Sequence, residues 1–370
     1  MVIFVEEMNP MTSNQYLTTT SYTLLEKGTV SCQSPSNIAL VKYWGKYGEQ
    51  LPKNASISFT LSNCHTKTTL SYERKTSEGF DFEVFLNDHK EDSFKPKIQK
   101  FFERIEAYLP FLKEYKFNIN TTNSFPHSSG IASSASGMSA LAMCLIALEN
   151  RLLGAPESIS EAKKQKASFL ARLGSGSACR SIDGPLVVWG EHQNIEGSSN
   201  LLGTRYPYNV HPNFHEYQDT ILLVDKGEKQ VSSTVGHNLM HEHPFAEQRF
   251  QQANNHLSKL IPVLKEGDLS AFVQIVEREA LSLHAMMLTS NPYFILMKPN
   301  TLEIINRIWE FRKETGSSVC FTLDAGANVH VLFPKEEREE VSQFIRTELT
   351  SFCSKGEFIE DEVGIGAFLL

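Results

Sequence analysis

The chain has 370 residues and a formal net charge of −8, from 35 basic and 43 acidic residues. Proteins whose main partner is a nucleic acid or an anionic membrane usually carry a basic excess, so the acidic balance argues against both partners. No stretch reaches 18 consecutive apolar residues and the first residues lack a signal-peptide pattern, so neither a membrane span nor secretion is expected. Six singly scattered cysteines favour reduced thiols and a cytoplasmic protein.

The chain is predicted to divide into three parts. The polar stretch "MNPMTSNQYLTTTSYT" near the start predicts that residues 1–20 form a loose N-terminal extension. Residues 21–205 are rich in strand signals and predict an N-terminal domain, whereas 206–370 are rich in helix signals and predict a C-terminal domain. The boundary falls in the loop-like stretch "NIEGSSNLLGTRYPYNVHPN".

In the first domain, strands are predicted where β-branched and aromatic residues alternate with polar ones, and helices where apolar residues recur at helical spacing. The strands are "TVSCQSPSNIALVKYW", "ASISFTLS", "TKTTLSYER", "FDFEVFLND" and "KFNINTTN", with a strand pair near "GPLVVWGEH". The helices are "KPKIQKFFERIEAYLPFL", "MSALAMCLIALEN" and "SEAKKQKASFLARLG". This mixture predicts a sheet with inserted helices.

The second domain has a different rhythm. It begins with a strand at "DTILLVDK" and continues with three amphipathic helices, "PFAEQRFQQANNHLSKLIPVLKEG", "LSAFVQIVEREALSLHAMML" and "NTLEIINRIWEFRKETG". One strand, "VCFTLDAGANVHVLF", a helix at "KEEREEVSQFIRTEL" and a strand-like tail follow. The pattern predicts a helix-rich domain with a small sheet.

The serine-rich stretch "NSFPHSSGIASSASG" runs directly into an apolar helix, which a flexible linker would not do. Small residues at the first turn leave backbone N–H groups open, and these groups with the helix dipole favour a phosphate. The hydroxyls of Ser133 and Ser134 could donate to phosphate oxygens or help to hold Mg²⁺. A plain N-capped turn is the alternative, and the stretch is not a Walker loop.

Two other segments carry cations. Lys42 and Lys46 flank "YWG", which places two ammonium groups beside a tyrosine hydroxyl; an edge strand with solvated lysines is the alternative. In "GSGSACRSIDG", glycine and serine allow close backbone approach to an anion, and the fork of Arg180 suits a carboxylate or phosphate. An arginine that caps a helix is the alternative there.

Asp324 and several histidines complete the chemistry-bearing residues. Asp324 lies at a strand end in "LDAGAN", where an ordinary turn is the alternative to a reactive carboxylate. His237 and His241 have the i, i+4 spacing of zinc ligands, with His243 nearby, but a solvated helix end is expected. His284 has two equally good interpretations, as a residue near the functional site or as a satisfied core histidine.

These segments together resemble a known family. The loop P-x-x-x-G-I-A-S-S-A resembles the phosphate loop of the small-molecule kinase superfamily, which includes galactokinase, homoserine kinase and mevalonate kinase. The segments "NIALVKYWGK", "LPKNASISFTL", "GSGSACRS" and "DAGAN" are similar to signatures of the diphosphomevalonate decarboxylases, and "VSSTVGH" resembles the segment of that family that closes over the substrate diphosphate. The resemblance runs through about residues 28–335.

The resemblance implies an α+β, two-domain small-molecule kinase fold, with a ribosomal-protein-S5-like N-terminal domain and a ferredoxin-like C-terminal domain. It implies ATP-dependent decarboxylation of (R)-5-diphosphomevalonate to isopentenyl diphosphate in isoprenoid biosynthesis, with release of ADP, phosphate and CO₂. ATP is then the cosubstrate, Mg²⁺ the metal and a homodimer the expected assembly. The alternatives are a mevalonate-type kinase that stops after phosphorylation and a catalytically silent sensor of the same fold.

The resemblance also implies roles for single residues. Asp324 is the proposed general base, Arg180 holds the substrate carboxylate, and Lys42 neutralises charge on the transferred phosphoryl group. The other implied substrate-binding residues are Asn37, Tyr43, Trp44, Gly45, Lys46, Lys97, Ser175, Gly176, Ser177, Ala178, Cys179, Ser233 and Thr234. The implied ATP-binding residues are Pro126, Ser129, Gly130, Ala132, Ser133 and Ser134, and Ser134 is also the implied Mg²⁺ ligand.

The sequence departs from the family pattern at several positions. Ala327 replaces the usual proline of the D-A-G-P-N turn, and Asp183 stands where an aromatic residue is expected. Residues 127–129 differ from the usual phosphate loop. Lys97 stands where the family has an arginine, which turns a bidentate contact into a point charge.

Overall fold

The computed structural model describes residues 12–126, 131–226 and 233–370. The helices of these ranges are α1 Lys95–Ile105, α2 Ser133–Leu152, α3 Glu161–Gly174, α4 Ser233–Asn238, α5 Ala246–Glu266, α6 Leu269–Leu288, α7 Pro299–Thr315 and α8 Arg338–Phe344. The strands are β1 Lys27–Val41, β2 Lys46–Tyr47, β3 Leu51–Pro52, β4 Ser56–Arg74, β5 Asp81–Leu86, β6 His89–Lys90, β7 Tyr115–Asn123, β8 Leu186–Trp189, β9 Gly203–Arg205, β10 Gln218–Leu222, β11 Cys320–Thr322, β12 Val329–Phe333, β13 Phe358–Glu362 and β14 Phe368–Leu369.

The larger sheet has the order β14-β1-β4-β7-β5-β6, and β8 and β9 extend it beside β4. β1 and β4 run antiparallel over most of their length, while β5 and β7 are parallel. Two register shifts interrupt the β1–β4 pairing, one between Pro35 and Asn37 and one between Ala39 and Val41. Such bulges bend a strand and aim the residues that follow it, and here they come just before Lys42.

Helix α2 lies at the centre of the N-terminal core. It packs against β1, β4 and α3. Its buried residues include Met138, Leu141 and Leu145 on one face, but they extend around nearly the whole helix. A helix that is apolar all round belongs in a core rather than at a surface, which explains why "MSALAMCLIALEN" has so few charges.

The smaller sheet is antiparallel, with the order β11-β12-β10-β13. Helix α6 packs on β11 and also contacts β1 of the larger sheet. One apolar cluster accordingly contains Ile38 and Phe59 from the first sheet together with Leu260 and Phe272 from α5 and α6. The two sheets are therefore joined through a shared core, which fixes the walls of the cleft between them.

The structure corrects three predictions about elements. "ASISFTLS" and "TKTTLSYER" form one continuous strand, β4, and "VCFTLDAGANVHVLF" is a hairpin of β11 and β12 rather than one strand. The expected loose extension is packed at Tyr16, whose ring is 6% exposed and stacks on Phe169 with centroids 4.5 Å apart. The chain end returns to the first sheet, because β14 pairs with β1.

The described part of the chain contains no helix that is both long enough and apolar enough to cross a membrane.

Candidate active site

A cavity of about 800 Å³ lies where the two sheets meet. Its walls come from the end of β1, from α1, from the start of α2, from the turn after α3 and from the β11–β12 hairpin. The predicted site residues that line it are Lys42, Tyr43, Trp44, Lys46, Lys97, Ala132, Ser133, Ser134, Ser175, Gly176, Ser177, Arg180 and Asp324. Five separate sequence segments thus line the same cavity.

Five other predicted residues are described by the structure but lie away from this cavity. Asn37, Gly45, Pro126, Ala178 and Cys179 lie outside its lining. The amide of Asn37 donates to Ser181 Oγ at 2.8 Å and to the carbonyl of Ser177 at 3.3 Å, so it holds the glycine–serine turn instead of facing a substrate. Ser129 and Gly130 lie outside the described residues, as do the side chains of Ser233 and Thr234.

Lys42 and Asp324 form an ion pair at the base of the cavity, with Nζ 3.0 Å from Oδ1. The lysine side chain is 2% exposed and the aspartate side chain 32%, so the cation is buried and the carboxylate is open to the cavity. Burial lowers the pKa of Lys42, and the carboxylate of Asp324 counteracts this effect. The pair fixes the direction in which the carboxylate points.

Glu279 on α6 is a buried carboxylate that holds the backbone of Lys42. It accepts the backbone N–H of Lys42 at 2.8 Å, Arg249 Nη1 at 3.0 Å and His256 Nδ1 at 2.6 Å. Burial alone would raise the pKa of Glu279, but Arg249 and the hydrogen bonds hold it below the usual value. The sequence signal was an acidic residue within the apolar pattern of α6, but its role was not predicted.

Arg180 is a buried cation on the short 3₁₀ turn Gly176–Ser181, and it is 4% exposed. Its Nη1 donates to Ser56 Oγ, and its guanidinium lies 5.9 Å from the ring centroid of Trp189. Burial lowers the pKa of Arg180, and its Nε is buried without a hydrogen-bond partner among the residues that the structure describes. A buried guanidinium with unsatisfied hydrogen-bonding capacity is suited to an incoming carboxylate.

The start of α2 forms the phosphate-loop side of the cavity. Ala132, directly before the helix, adopts a left-handed backbone conformation with φ 42°. Such conformations in non-glycine residues cluster at functional sites. Lys97 Nζ donates to Ser134 Oγ at 2.7 Å, so an ammonium group already lies beside the predicted phosphate-binding hydroxyl.

The prediction of a solvated helix end is wrong for His237 and His243, which are each 7% exposed. His237 Nδ1 accepts the N–H of Gly45 at 3.0 Å, and its ring lies 4.2 Å from that of Tyr43 and 4.6 Å from that of Trp44. Burial, together with Lys46 and Arg180, lowers the pKa of His237 to about 3. A neutral imidazole therefore joins α4 to the "KYWGK" segment beside the cavity.

His284 is a satisfied core histidine, one of the two interpretations that the sequence allowed. It is 2% exposed, and its Nε2 donates to the backbone carbonyl of Asp324 at 3.1 Å. Burial lowers the pKa of His284 to about 4. The neutral ring thus holds the backbone of the hairpin that carries Asp324.

Two basic residues of the cavity were not predicted, Lys100 and Arg104 on α1. With Lys97 they have the spacing i, i+3, i+7, which places three cations on one face of a helix. Lys46 Nζ donates to Gln50 Oε1 at 3.0 Å on the same side of the cavity. The spacing was visible in the sequence, but the side of α1 that faces the cavity depends on how the helix docks.

The chain is a two-domain α+β protein, and its cavity is framed by the start of α2 and by Asp324 on the β11–β12 hairpin. This is the fold that the resemblance to the small-molecule kinase superfamily implies. Two domain comparisons make this assignment specific. Residues 34–200 match the diphosphomevalonate decarboxylase-like N-terminal domain, and residues 220–363 match the mevalonate 5-diphosphate decarboxylase C-terminal domain. The chain belongs to the diphosphomevalonate decarboxylase family.

Relatives from several organisms agree. The chain is 30% identical to the diphosphomevalonate decarboxylase of Ganoderma lucidum, over 90% of this chain and 84% of that one. It is 30% identical to the human diphosphomevalonate decarboxylase, over 85% of this chain and 78% of that one. A mevalonate diphosphate decarboxylase structure from Enterococcus faecalis aligns with TM-score 0.77 and 28% identity, covering 93% of this chain and 99% of that one.

Proposed function

We propose that the protein decarboxylates (R)-5-diphosphomevalonate to isopentenyl diphosphate, consuming ATP and releasing ADP, phosphate and CO₂. The observation that carries this proposal is the convergence of the Lys42–Asp324 pair, Arg180 and the start of α2 on one cavity. A solved relative was obtained in complex with MVAPP, AMPPCP and magnesium, and it aligns with TM-score 0.78 and 29% identity over 93% of this chain and 99% of that one.

The reaction needs ATP because hydroxide is a poor leaving group. The hydroxyl oxygen on C3 attacks the γ-phosphorus of ATP, the bond to the bridging oxygen of ADP breaks, and the hydroxyl proton passes to Asp324. The new C3 phosphate then leaves with the C3–O electron pair. The carboxylate loses CO₂, and its C–C electron pair forms the alkene.

Six of the cavity residues have a place in this scheme. The Asp324 carboxylate, oriented by Lys42, positions the C3 hydroxyl or accepts its proton. Lys42 also stabilises charge on the transferred phosphoryl group. Arg180 holds the substrate carboxylate. The hydroxyls of Ser175 and Ser177, with Lys46, hold the substrate diphosphate; Ser233 and Thr234 are proposed as further contacts to the same group.

ATP lies, in this proposal, with its phosphates at the start of α2, where open N–H groups and the helix dipole favour anions. Mg²⁺ prefers oxygen ligands and usually bridges one or two protein oxygens to substrate phosphates. The hydroxyl of Ser134 is exposed to the cavity and fits that requirement, together with ATP phosphate oxygens. Bound there, Mg²⁺ supplies charge neutralisation for the transferred phosphoryl group.

The test is stoichiometry. The purified protein with Mg-ATP and mevalonate 5-diphosphate is expected to release CO₂, ADP and phosphate in equal amounts. ADP formation without CO₂ would show a kinase that stops after phosphoryl transfer. Asp324→Asn is expected to abolish turnover and leave nucleotide binding largely intact, whereas Asp92→Asn, at an exposed surface pair with Lys95, is the matched control.

We also propose that the enzyme acts as a homodimer in the cytoplasm. Six free, buried cysteines are consistent with a reducing compartment. The dimer is proposed by analogy with the family. Size-exclusion chromatography with light scattering measures it directly, and a mass near 41.7 kDa at micromolar concentration would contradict the dimer.

A further inference from the structure

The cavity wall formed by α1 carries more positive charge than the predicted site requires. The basic side chains that line the cavity are Lys42, Lys46, Lys97, Lys100, Arg104 and Arg180. Among its described lining residues, Asp324 is the one carboxylate, and it is paired with Lys42. One carboxylate cannot balance the positive charge of six basic side chains.

Besides Arg180, three of these cations form no ion pair within the described ranges: Lys46, Lys100 and Arg104. Lys46 is bonded to an amide oxygen, that of Gln50 at 3.0 Å, and Arg104 Nη1 to the carbonyl of Leu173 at 2.7 Å. Burial lowers the pKa of Lys46, and the charges of Arg104 and Lys100 lower it further. Like charges held together without a counterion destabilise the empty site and attract a polyanion.

The placement of α1 shows which end of the cavity each cation serves. Lys97 lies on Ser134 at the start of α2, the phosphate-loop side. Arg104 lies on Leu173, directly before the glycine–serine turn that begins at Gly174. Seven residues of helix span about 10 Å, so the row reaches from one anion site to the other.

We propose that Lys100 and Arg104, together with Lys46, bind the terminal phosphoryl group of the substrate diphosphate and thereby set the phosphate count that the enzyme accepts. A phosphate monoester carries a charge of about −1.5 to −2 at neutral pH, and a second phosphoryl group adds to it. The charge of a diphosphate matches three uncompensated cations, whereas the charge of a monophosphate does not. This inference rests on the proposed function, since it concerns the same substrate.

The experiment compares Lys100→Met with wild type. The KM for mevalonate 5-diphosphate is measured, together with the inhibition constant of mevalonate 5-monophosphate as a competitor. One lost charge-assisted contact is expected to raise the diphosphate KM about tenfold, with a much smaller effect on the monophosphate. Because the contact is remote from C3, kcat is expected to change little, and the KM for ATP is expected to stay the same.

Lys95→Met is the matched control, because Lys95 lies on the same helix but pairs with Asp92 at 2.8 Å and does not line the cavity. Arg104→Lys is a second test variant that keeps the charge but loses the planar fork, and it is expected to weaken diphosphate binding less than Arg104→Met. Lys100 is exposed, so its replacement leaves the core intact.

Calorimetric titration with inorganic pyrophosphate and with inorganic phosphate gives a readout that does not require turnover. Lys100→Met is expected to weaken pyrophosphate binding about tenfold and phosphate binding less. Equal losses for both anions, an unchanged diphosphate KM, or an effect confined to the KM for ATP would overturn the inference. ADP release without CO₂ by wild type would refute the proposed function instead, and the pyrophosphate titration would still decide the inference.

Discussion

Replacing Glu279 by glutamine tests whether the carboxylate that holds the backbone of Lys42 is required for the stability of the site. Glu279 is fully buried, and it accepts hydrogen bonds from the backbone of Lys42 and from the side chains of Arg249 and His256. Glutamine has the same shape but offers one acceptor oxygen and adds two N–H donors. At least one of these partners loses its acceptor, and Arg249, whose side chain is 1% exposed, loses its counter-charge.

Breaking a buried ion pair by neutralising one partner costs about 3–5 kcal/mol, because a buried charge is left uncompensated. The free energy of unfolding of Glu279→Gln is therefore expected to fall by about that amount. Urea titration followed by tryptophan fluorescence measures it. Glu303→Gln is the control, since Glu303 pairs with Arg307 at 3.0 Å with both side chains more than a third exposed, and a loss below about 0.5 kcal/mol is expected.

The pH dependence gives the prediction a second arm. The pKa of Glu279 lies below its usual value in the folded protein, so its stabilising effect is present above the ordinary carboxyl pKa of about 4.3. The effect is lost as the pH falls through the folded pKa. The stability difference between wild type and Glu279→Gln should be constant near neutrality and shrink in acid. A difference below about 1 kcal/mol at pH 7 would refute the reasoning.

Lys97→Met is expected to raise the KM for ATP more than the KM for mevalonate 5-diphosphate, because Lys97 contacts Ser134. Steady-state kinetics in which only the KM for mevalonate 5-diphosphate rose would contradict this. His237, with a pKa of about 3, should stay neutral to pH 5, so acidification below about pH 6.5 protonates this ring in the unfolded chain and lowers stability; an NMR titration midpoint between pH 6 and 7 is the opposing result. Tyr16→Ala should lower the free energy of unfolding by about 3 kcal/mol because the ring stacks on Phe169. Tyr16→Phe should have little effect, since the hydroxyl has no hydrogen-bond partner within the described part of the chain; similar melting of both variants would contradict this.

The sequence pointed to Lys42 and Asp324 as site residues through motifs rather than through periodicity. Lys42 and Asp324 are 282 positions apart, and no local periodicity connects them. The resemblance implied a role for each residue but not their ion pair, in which Nζ lies 3.0 Å from Oδ1. Local pattern was sufficient for the long elements, such as α2, because apolar composition over many residues averages out the uncertainty of each position.

Features that depend on tertiary packing were missed. The hairpin around Asp324 was predicted as one strand because its β-branched and apolar residues continue on both sides of a short turn. His237 was predicted to be solvated because its neighbours are polar, yet the rings of Tyr43 and Trp44, which come from a distant segment, bury it. Glu279 was passed over for the same reason, because its partner Arg249 lies on another helix.

The charges around the cavity fall into two classes that do different work. The charge of Glu279 is compensated by Arg249 inside the protein, so the attraction between them holds backbone and side chains in place before any ligand binds. Lys100 and Arg104 have no carboxylate partner within the described ranges, so their repulsion is relieved only by an anion that enters. The first class fixes the geometry of phosphoryl transfer and the second makes that geometry conditional on a sufficiently charged substrate. A site whose orienting charges are paired and whose recognising charges are unpaired can therefore be rigid and selective at once.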